Sequence, residues 1–300
     1  MKSKIYKYSS FSEYSIINIL NDELFMNHYS YFNDPFECNC KITAGFPEIN
    51  SNSPRLKKII NAWGFENHMD PVVLDNYDNL VLSLEGFEPN IIKIIESARI
   101  SCFSKREDNL MMWSHYADGL RGFCLEFDTK FILDNNDVEL LEVLYQNNPS
   151  EIDTAEIAVL HDQVHYHENA IYEAEIKQKN ILLKKLENNS LKEDLKIYND
   201  SLDTVYKRSN VIHQKMLATK SIEWSYEEEL RIILHSKNNN NLGVFMKYPK
   251  KSLKSIIIGQ KMPVKQQQTI MKIIKAKRNK ILIKKASVID GRFHIKITDM

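Results

Sequence analysis

Residues 150–215 contain neither glycine nor proline, and Pro149 stands at their threshold. The stretch is rich in Glu, Lys, Leu, Ile and Ala, all residues that cost a helix little backbone or side-chain freedom. It therefore reads as two or three long helices. Its apolar period is too irregular for a coiled coil. Strand-like alternation flanks it on both sides. The chain is thus expected to be α+β, with a mixed and largely antiparallel sheet. The expected parts are residues 1–148, a helical insertion at 149–218, and a C-terminal part at 219–300.

The breakers are scarce throughout: 8 glycines and 8 prolines in 300 residues. Neither GxxxxGK[ST] nor GxGxxG occurs, so a glycine-rich phosphate loop is not expected. Lys+Arg and Asp+Glu each number 40, giving a formal charge of zero. No global positive field gathers nucleic acid. Cys38, Cys40, Cys102 and Cys124 lack the paired CxxC spacing of a zinc site. Few cysteines and no apolar leader fit the cytoplasm. No run reaches the roughly 20 apolar residues that span a bilayer, so no membrane partner is expected.

Along the chain, Ile5 to Tyr8 is a short strand. Ser10 and Glu13 have capping-box spacing for a helix whose apolar stripe is Ile16, Leu20 and Leu24. Asn33-Asp34-Pro35 marks a turn, and residues 51–100 carry helical spacing. Ile100 to Ser104 reads as a buried strand, 107–117 as a short helix, and Gly122 to Phe127 as an alternating strand. Glu227 to Leu234 and Leu242 to Tyr248 alternate too. Leu253 to Ile258 is apolar throughout, as a central strand requires. Pro263 suits a helix start, and Asp290-Gly291 a type I′ hairpin turn.

The segment Glu223 to Leu234 carries the clearest chemistry. As a strand it puts Glu227, Glu229 and Arg231 on one face, and Leu230, Ile232 and Leu234 on the other with Glu228. Two carboxylates and a guanidinium beside an apolar face suit a cleft wall; they also suit the wet side of an edge strand. A second cluster joins Ser101, Ser104, Arg106, Trp113, His115 and Tyr116. Here Trp113 and Tyr116 read as core anchors, and His115 as either a proton carrier or a structural residue. His161 and His165, with His167 and Glu168 near them, are better a solvated helix face than a metal site, since HExxH is absent. Ser114 abuts His115 without a GxSxG elbow.

The strings CFS at 102–104, MWSHYA at 112–117, GFCLEF at 122–127, WxYExExR at 224–231 and LKSIIIG at 253–259 resemble a widespread bacterial family of unknown function. That family is often found near abortive-infection and anti-phage loci. YKYSS near the N-terminus and FNDPFE at 32–37 match it as well. Its motif order in turn resembles the ADP-ribosyltransferase-like fold. The resemblance implies that Tyr6, Lys7 and Tyr8 form the opening strand, with Lys7 where many members have His or Arg. Ser101 or Ser104 would take the central place and Glu227-x-Glu229 the late acidic pair. Glu229 would be the catalytic glutamate, Glu227 would handle the acceptor, and Tyr226, His115, Arg106 and Arg231 would help hold NAD, the substrate. The implied protein is an intracellular defence or toxin-type effector acting on a protein or nucleic acid. Two rivals remain open. One is a non-enzymatic sensor or scaffold docking a partner through the 149–218 helices. The other is a metal-dependent nuclease using Asp34, Glu37 and Glu126.

Overall fold

The computed structural model describes residues 4–49, 53–132, 137–183, 189–237, 240–277 and 280–300. The chain divides into two compact units, each assembled from segments distant in sequence. The first comprises 1–39, 92–149 and 217–300; the second comprises 40–91 and 150–216.

The first unit is built on an eight-stranded sheet. Its strands are β1 (Lys4–Ser9), β2 (Ala98–Ser104), β3 (Phe123–Asp128), β4 (Val138–Glu142), β5 (Glu229–His235), β6 (Leu253–Gly259), β7 (Leu282–Val288) and β8 (Ile295–Asp299). They lie in the order β8-β7-β6-β3-β1-β2-β5-β4. Only β6 and β7 run parallel, and the helix Val264–Ala276 supplies the crossover such a pair needs. The α+β class and the largely antiparallel sheet agree with the sequence pattern.

Period-two alternation sorts the residues onto two faces. Ile5, Phe103, Leu125, Phe127, Leu230, Ile232, Ile256 and Ile258 form a buried apolar layer. Tyr6, Tyr8, Cys124 and Ile257 point to the other face, where Met112, Trp113 and Ala117 cover them. β3 is buried on both faces, which the alternation of 122–127 understated. The edge of β3 demands glycine beside it. A Cβ on Gly122 would lie 2.2 Å from the Ser9 carbonyl oxygen.

Pairing across the sheet is interrupted at two places: β6 shifts register against β3 between Leu253 and Ser255, and β1 loses its register against β2. β1 pairs with β3 at six successive positions, Lys4↔Asp128 to Ser9↔Phe123. β2 pairs with β5 at seven, Glu229↔Ser104 to His235↔Ala98. Between β1 and β2 the only registered pair is Tyr6↔Ser104. Beyond it the two strands splay, and Asn27 rather than β1 bonds the backbone of Ile100, in both directions at 2.8 Å.

Several local expectations need correction. The first helix, Glu13–Asn21, is capped by Ser12 with Ser15 closing the box, not by Ser10 and Glu13. Leu20 is exposed, and Leu24 belongs to the strand Glu23–Met26; Ile19 is the buried residue of that helix. Residues Ile222–Glu227 form a 3₁₀ helix, and β5 starts only at Glu229. Between them Glu228 adopts φ 45°, so the assumed strand is interrupted. The β7–β8 turn is longer than type I′, for only Gly291 has positive φ, and Arg292 N–H returns to the Ile289 carbonyl.

In the second unit the glycine-free stretch makes two helices, Thr154–Leu183 and Asn189–Leu217. It is not a unit of its own. Ser150–Asp153 pairs in parallel with Cys40–Thr43, Arg55 grips Asp153 with Nε and Nη2 at 2.8 and 2.9 Å, and Lys58 meets Glu156 at 2.5 Å. No described helix is long and apolar enough to cross a membrane.

Candidate functional site

The splay between β1 and β2 holds a cavity of about 420 Å³. That volume lies toward the lower end of the roughly 300–1,000 Å³ usual for small-molecule sites. Its lining draws on both faces of the sheet, as an opening through the splay must. Lys7, Ser101 and Phe103 come from the apolar face, while Tyr8, Cys102 and Glu229 come from the other. Phe25, Tyr31 and Phe32 add aromatic surface, and Tyr116, Lys220 and Glu227 complete the polar wall.

Lys7 reaches across the splay. Its ammonium donates to Ser101 Oγ at 2.8 Å and to the Cys102 carbonyl at 3.2 Å, and lies 5.0 Å from the Phe103 ring centroid. Among the described residues these two contacts leave one of its three N–H bonds without a hydrogen-bond acceptor. Burial pushes its pKa down, against the pull of Cys102 and Glu229.

Opposite stands a buried ion network. Glu229 Oε1 accepts from Arg231 Nε at 2.9 Å; its Oε2 takes Arg231 Nη2 and Lys220 Nζ, each at 3.3 Å. Arg231 turns its other edge to Glu37, at 2.5 and 3.0 Å, and to the Leu217 carbonyl at 2.7 Å. Lys220 Nζ lies 2.6 Å from Glu227 Oε2, and the Tyr116 hydroxyl donates to Glu227 Oε1 at 2.5 Å. Glu227 and Glu229 are both 2% exposed and Arg231 is 0%.

The two carboxylates are tuned apart. Burial alone would raise Glu229, but Arg231 and Lys220 hold it well below the usual carboxylate range. Burial does raise Glu227, and Lys220 and Tyr116 only partly oppose it. Neighbouring acids with diverging proton affinities are what acid–base division of labour requires. Burial and the adjacent Glu227 likewise push the Tyr116 phenol up.

Of the residues singled out in the sequence, Lys7, Tyr8, Ser101, Glu227 and Glu229 line this one cavity. Arg231 stands behind Glu229 and positions it. Glu227 arrives from the 3₁₀ helix, not from a shared strand face. The remaining five lie off the lining. Tyr6 is buried on the sheet face beside Cys124, and Ser104 is fully buried, its Oγ accepting from Arg106 N–H at 3.3 Å. Arg106 is exposed and paired with Asp108 at 2.9 Å and Glu228 at 3.3 Å. His115 is exposed, 5.9 Å from Tyr226 ring to ring, and Tyr226 lends its carbonyl to Asn109.

Trp113 is a core residue, its indole N–H bonded to the Glu107 carbonyl at 2.9 Å. Tyr116, in contrast, is a site residue. Sequence reasoning missed Lys220 altogether, since a lone lysine between helix and strand carries no signal. Two of the carboxylates in the nuclease reading are already ion-paired. Glu37 is bound to Arg231, Glu126 to Lys4 and Lys284, and the described residues hold no group of three or more His, Cys, Asp or Glu fit for a metal ion. His161 and His165 meet each other, Nε2 to Nε2 at 3.2 Å, and His161 stacks on Phe87 with ring centroids 4.5 Å apart.

The fold and site thus define an α+β protein with a splayed antiparallel sheet and a buried acidic pair at the opening. Residues 112–232 match the model of a family described as "Protein of unknown function (DUF2971)". The match takes in Tyr116, Lys220, Glu227, Glu229 and Arg231, and the helical stretch that the motif strings skip. It leaves Lys7, Tyr8 and Ser101 outside. No curated protein and no solved structure matches the chain.

Proposed function

We propose that the cavity binds NAD as a substrate and cleaves its nicotinamide–ribose bond, in the manner of an ADP-ribosyltransferase-like enzyme. The observation that carries this reading is the convergence of Glu227, Glu229, Lys7 and Tyr8 on one cavity where the sheet opens. In the reaction the C1′–N bond breaks and its electron pair goes to the pyridinium nitrogen, so nicotinamide leaves neutral. The ribose becomes oxocarbenium-like, as in glycoside cleavage. Glu229, kept ionised by its cationic neighbours, stabilises that charge. The acceptor's lone pair then attacks C1′, and its proton passes to Glu227, whose raised affinity suits a general base. The aromatic rings of Tyr31, Phe32 and Phe25 offer a flat heterocycle a stacking surface. The spare N–H of Lys7 offers an acceptor-bearing or anionic group a contact. On this reading, and by the resemblance of its motif strings, the protein acts as a bacterial defence or toxin-type effector.

The test is incubation of the pure protein with NAD labelled in the adenylate, with and without cell extract. Nicotinamide release or label transfer is expected. Glu229→Gln should lower it by about 10²-fold or more, as loss of one preorganised electrostatic contact does elsewhere. Absence of both release and transfer refutes the proposal.

One observation favours a second reading, a sensor or scaffold without catalysis. Both oxygens of Glu229 are already engaged by Arg231 and Lys220. Under that reading NAD still binds or a partner docks, but Glu229→Gln leaves the cellular phenotype unchanged.

A further inference from the structure

The partners of the acidic pair are not equivalent. Glu229 holds Arg231 Nε on Oε1, and Arg231 Nη2 and Lys220 Nζ on Oε2. Those contacts use three of the roughly four lone-pair directions a carboxylate has, including both on Oε2. Arg231 is fully buried, tied also to Glu37 and the Leu217 carbonyl, and does not line the cavity. It is a fixed support. Lys220 does line the cavity, and among the described residues it is the one cation shared by both carboxylates, at 2.6 Å from Glu227 and 3.3 Å from Glu229. It comes from the short strand Thr219–Ser221, and its ammonium also sits 4.6 Å from the Trp224 ring centroid. A second cation-holding surface therefore lies beside the carboxylates.

A carbon that becomes positive in the transition state and an ammonium seek the same oxygen of Glu229. Two like charges within a few ångströms in a water-poor site repel strongly. With Lys220 in place, Glu229 is neutralised twice over and its Oε2 has no free lone pair for a ribose hydroxyl or for C1′. We infer that Lys220 is an autoinhibitory latch on the acidic pair, and that the pyridinium of the substrate competes with its ammonium for Glu229. This rests on the glycosyl-transfer reading. The latch opens when Nζ swings off Glu229, its longer contact, and keeps Glu227 and the Trp224 face. Glu229 Oε2 is then presented to the cavity. Tyr116 holds Glu227 from the far side, so that carboxylate stays put as the ammonium moves.

The experiment is a calorimetric titration with two probes of similar shape, the N-methylnicotinamide cation and uncharged nicotinamide. Lys220→Met and Lys220→Gln should each bind the cation at least 10-fold more tightly than the wild type, with uncharged nicotinamide unchanged. An unaltered affinity for the cation, or an equal gain for both probes, overturns the latch. If both variants fail to fold, amine acetylation of the wild type followed by mass spectrometry decides. Lys220 should be protected in the free protein and become reactive at saturating N-methylnicotinamide; unchanged protection overturns the proposal. Nicotinamide release from NAD, measured in parallel, keeps the two ideas apart. No release by the wild type or either Lys220 variant refutes the glycosyl-transfer reading, whereas the cation titration alone decides the latch.

Discussion

Glu126 shows how a buried carboxylate in this protein is made tolerable. Burial would raise its pKa, but hydrogen bonds from Lys284 at 2.8 Å, Lys4 at 2.6 Å and Ser255 at 2.6 Å bring it down from 4.5 to about 2. A depressed carboxyl stabilises the fold above its unfolded pKa, and that stabilisation is lost as pH falls toward the folded value. The contribution is on the order of 2–3 kcal/mol, discounted because Lys4 is about half exposed. Glu229 acts in the same direction. Denaturant titrations from pH 6 down to 2.5 should therefore show stability falling below about pH 4.5. Glu126→Gln should be less stable at pH 6 and should fall less steeply over the same range. An equally steep fall in the variant would mean that other carboxyls govern the acid limb. At this scale the sequence displayed the ionisable residues but not their partners. Glu227 and Glu229 stood out because they sit two apart beside aromatics. Lys220 did not, and Tyr116 and Glu37 stood out only in other roles, as a core anchor and a nuclease carboxylate, because their relation to the acidic pair exists only after distant segments meet.

The segment 222–235 shows where pattern reading fails at the scale of elements. The last six residues of the run Glu227 to Leu234 do lie in β5, although Ile233 breaks the alternation and the strand is buried without a gap from Glu229 to Ile233. Nothing in the letters reveals the break before it, because the left-handed position is occupied by Glu228 rather than by glycine or asparagine. A non-glycine residue in that conformation costs roughly 1–2 kcal/mol. It persists here because it lets Glu227 leave the strand path and meet Lys220, while the Glu228 carbonyl accepts from Lys105 N–H at 3.0 Å. Glu228→Gly should leave the melting temperature unchanged or raise it by a few degrees, even though the exposed Arg106 contact is lost. Glu228→Val, β-branched, should lower it. Calorimetry of both variants checks the pair, and a clear loss of stability in the glycine variant contradicts the strain argument. The same limit explains the first helix. Ser10 and Ser12 are both competent caps, and only the chain direction leaving β1 selects Ser12. The splay of β1 from β2 is equally invisible in sequence, since both strands pair normally with their outer neighbours.

The organisation of the whole chain follows from which segments share a core. Composition marked out 150–215 as helical, and two long helices are what it forms. Composition could not show that these helices need residues 40–91, because a parallel strand pair and the Arg55–Asp153 and Lys58–Glu156 contacts join segments about a hundred positions apart. The boundary is consequently at Asn39/Cys40 and Ile91/Ile92 as well as near Pro149 and Leu217. A deletion confined to 150–216 strands the other half of that unit. Leu56, Ile59 and Ile60, all fully buried, then lose the helix they pack near, and Asp153 no longer neutralises Arg55. Such a protein should aggregate, since exposing several buried aliphatic side chains costs about 1.5–3 kcal/mol each against a total stability of about 5–15 kcal/mol. Removing 40–91 and 150–216 together, with glycine–serine joins, leaves all eight strands of the sheet and every residue lining the cavity in one unit. That shorter protein should stay soluble and keep the near-ultraviolet dichroism of its buried Trp113. A soluble protein from the single deletion, or an unfolded one from the double, would show that the units are not the cooperative entities their internal pairing indicates. If the double deletion folds and still releases nicotinamide, the helical unit is dispensable for the chemistry. Its role would then lie in target or partner recognition, the part the long charged helices suit best.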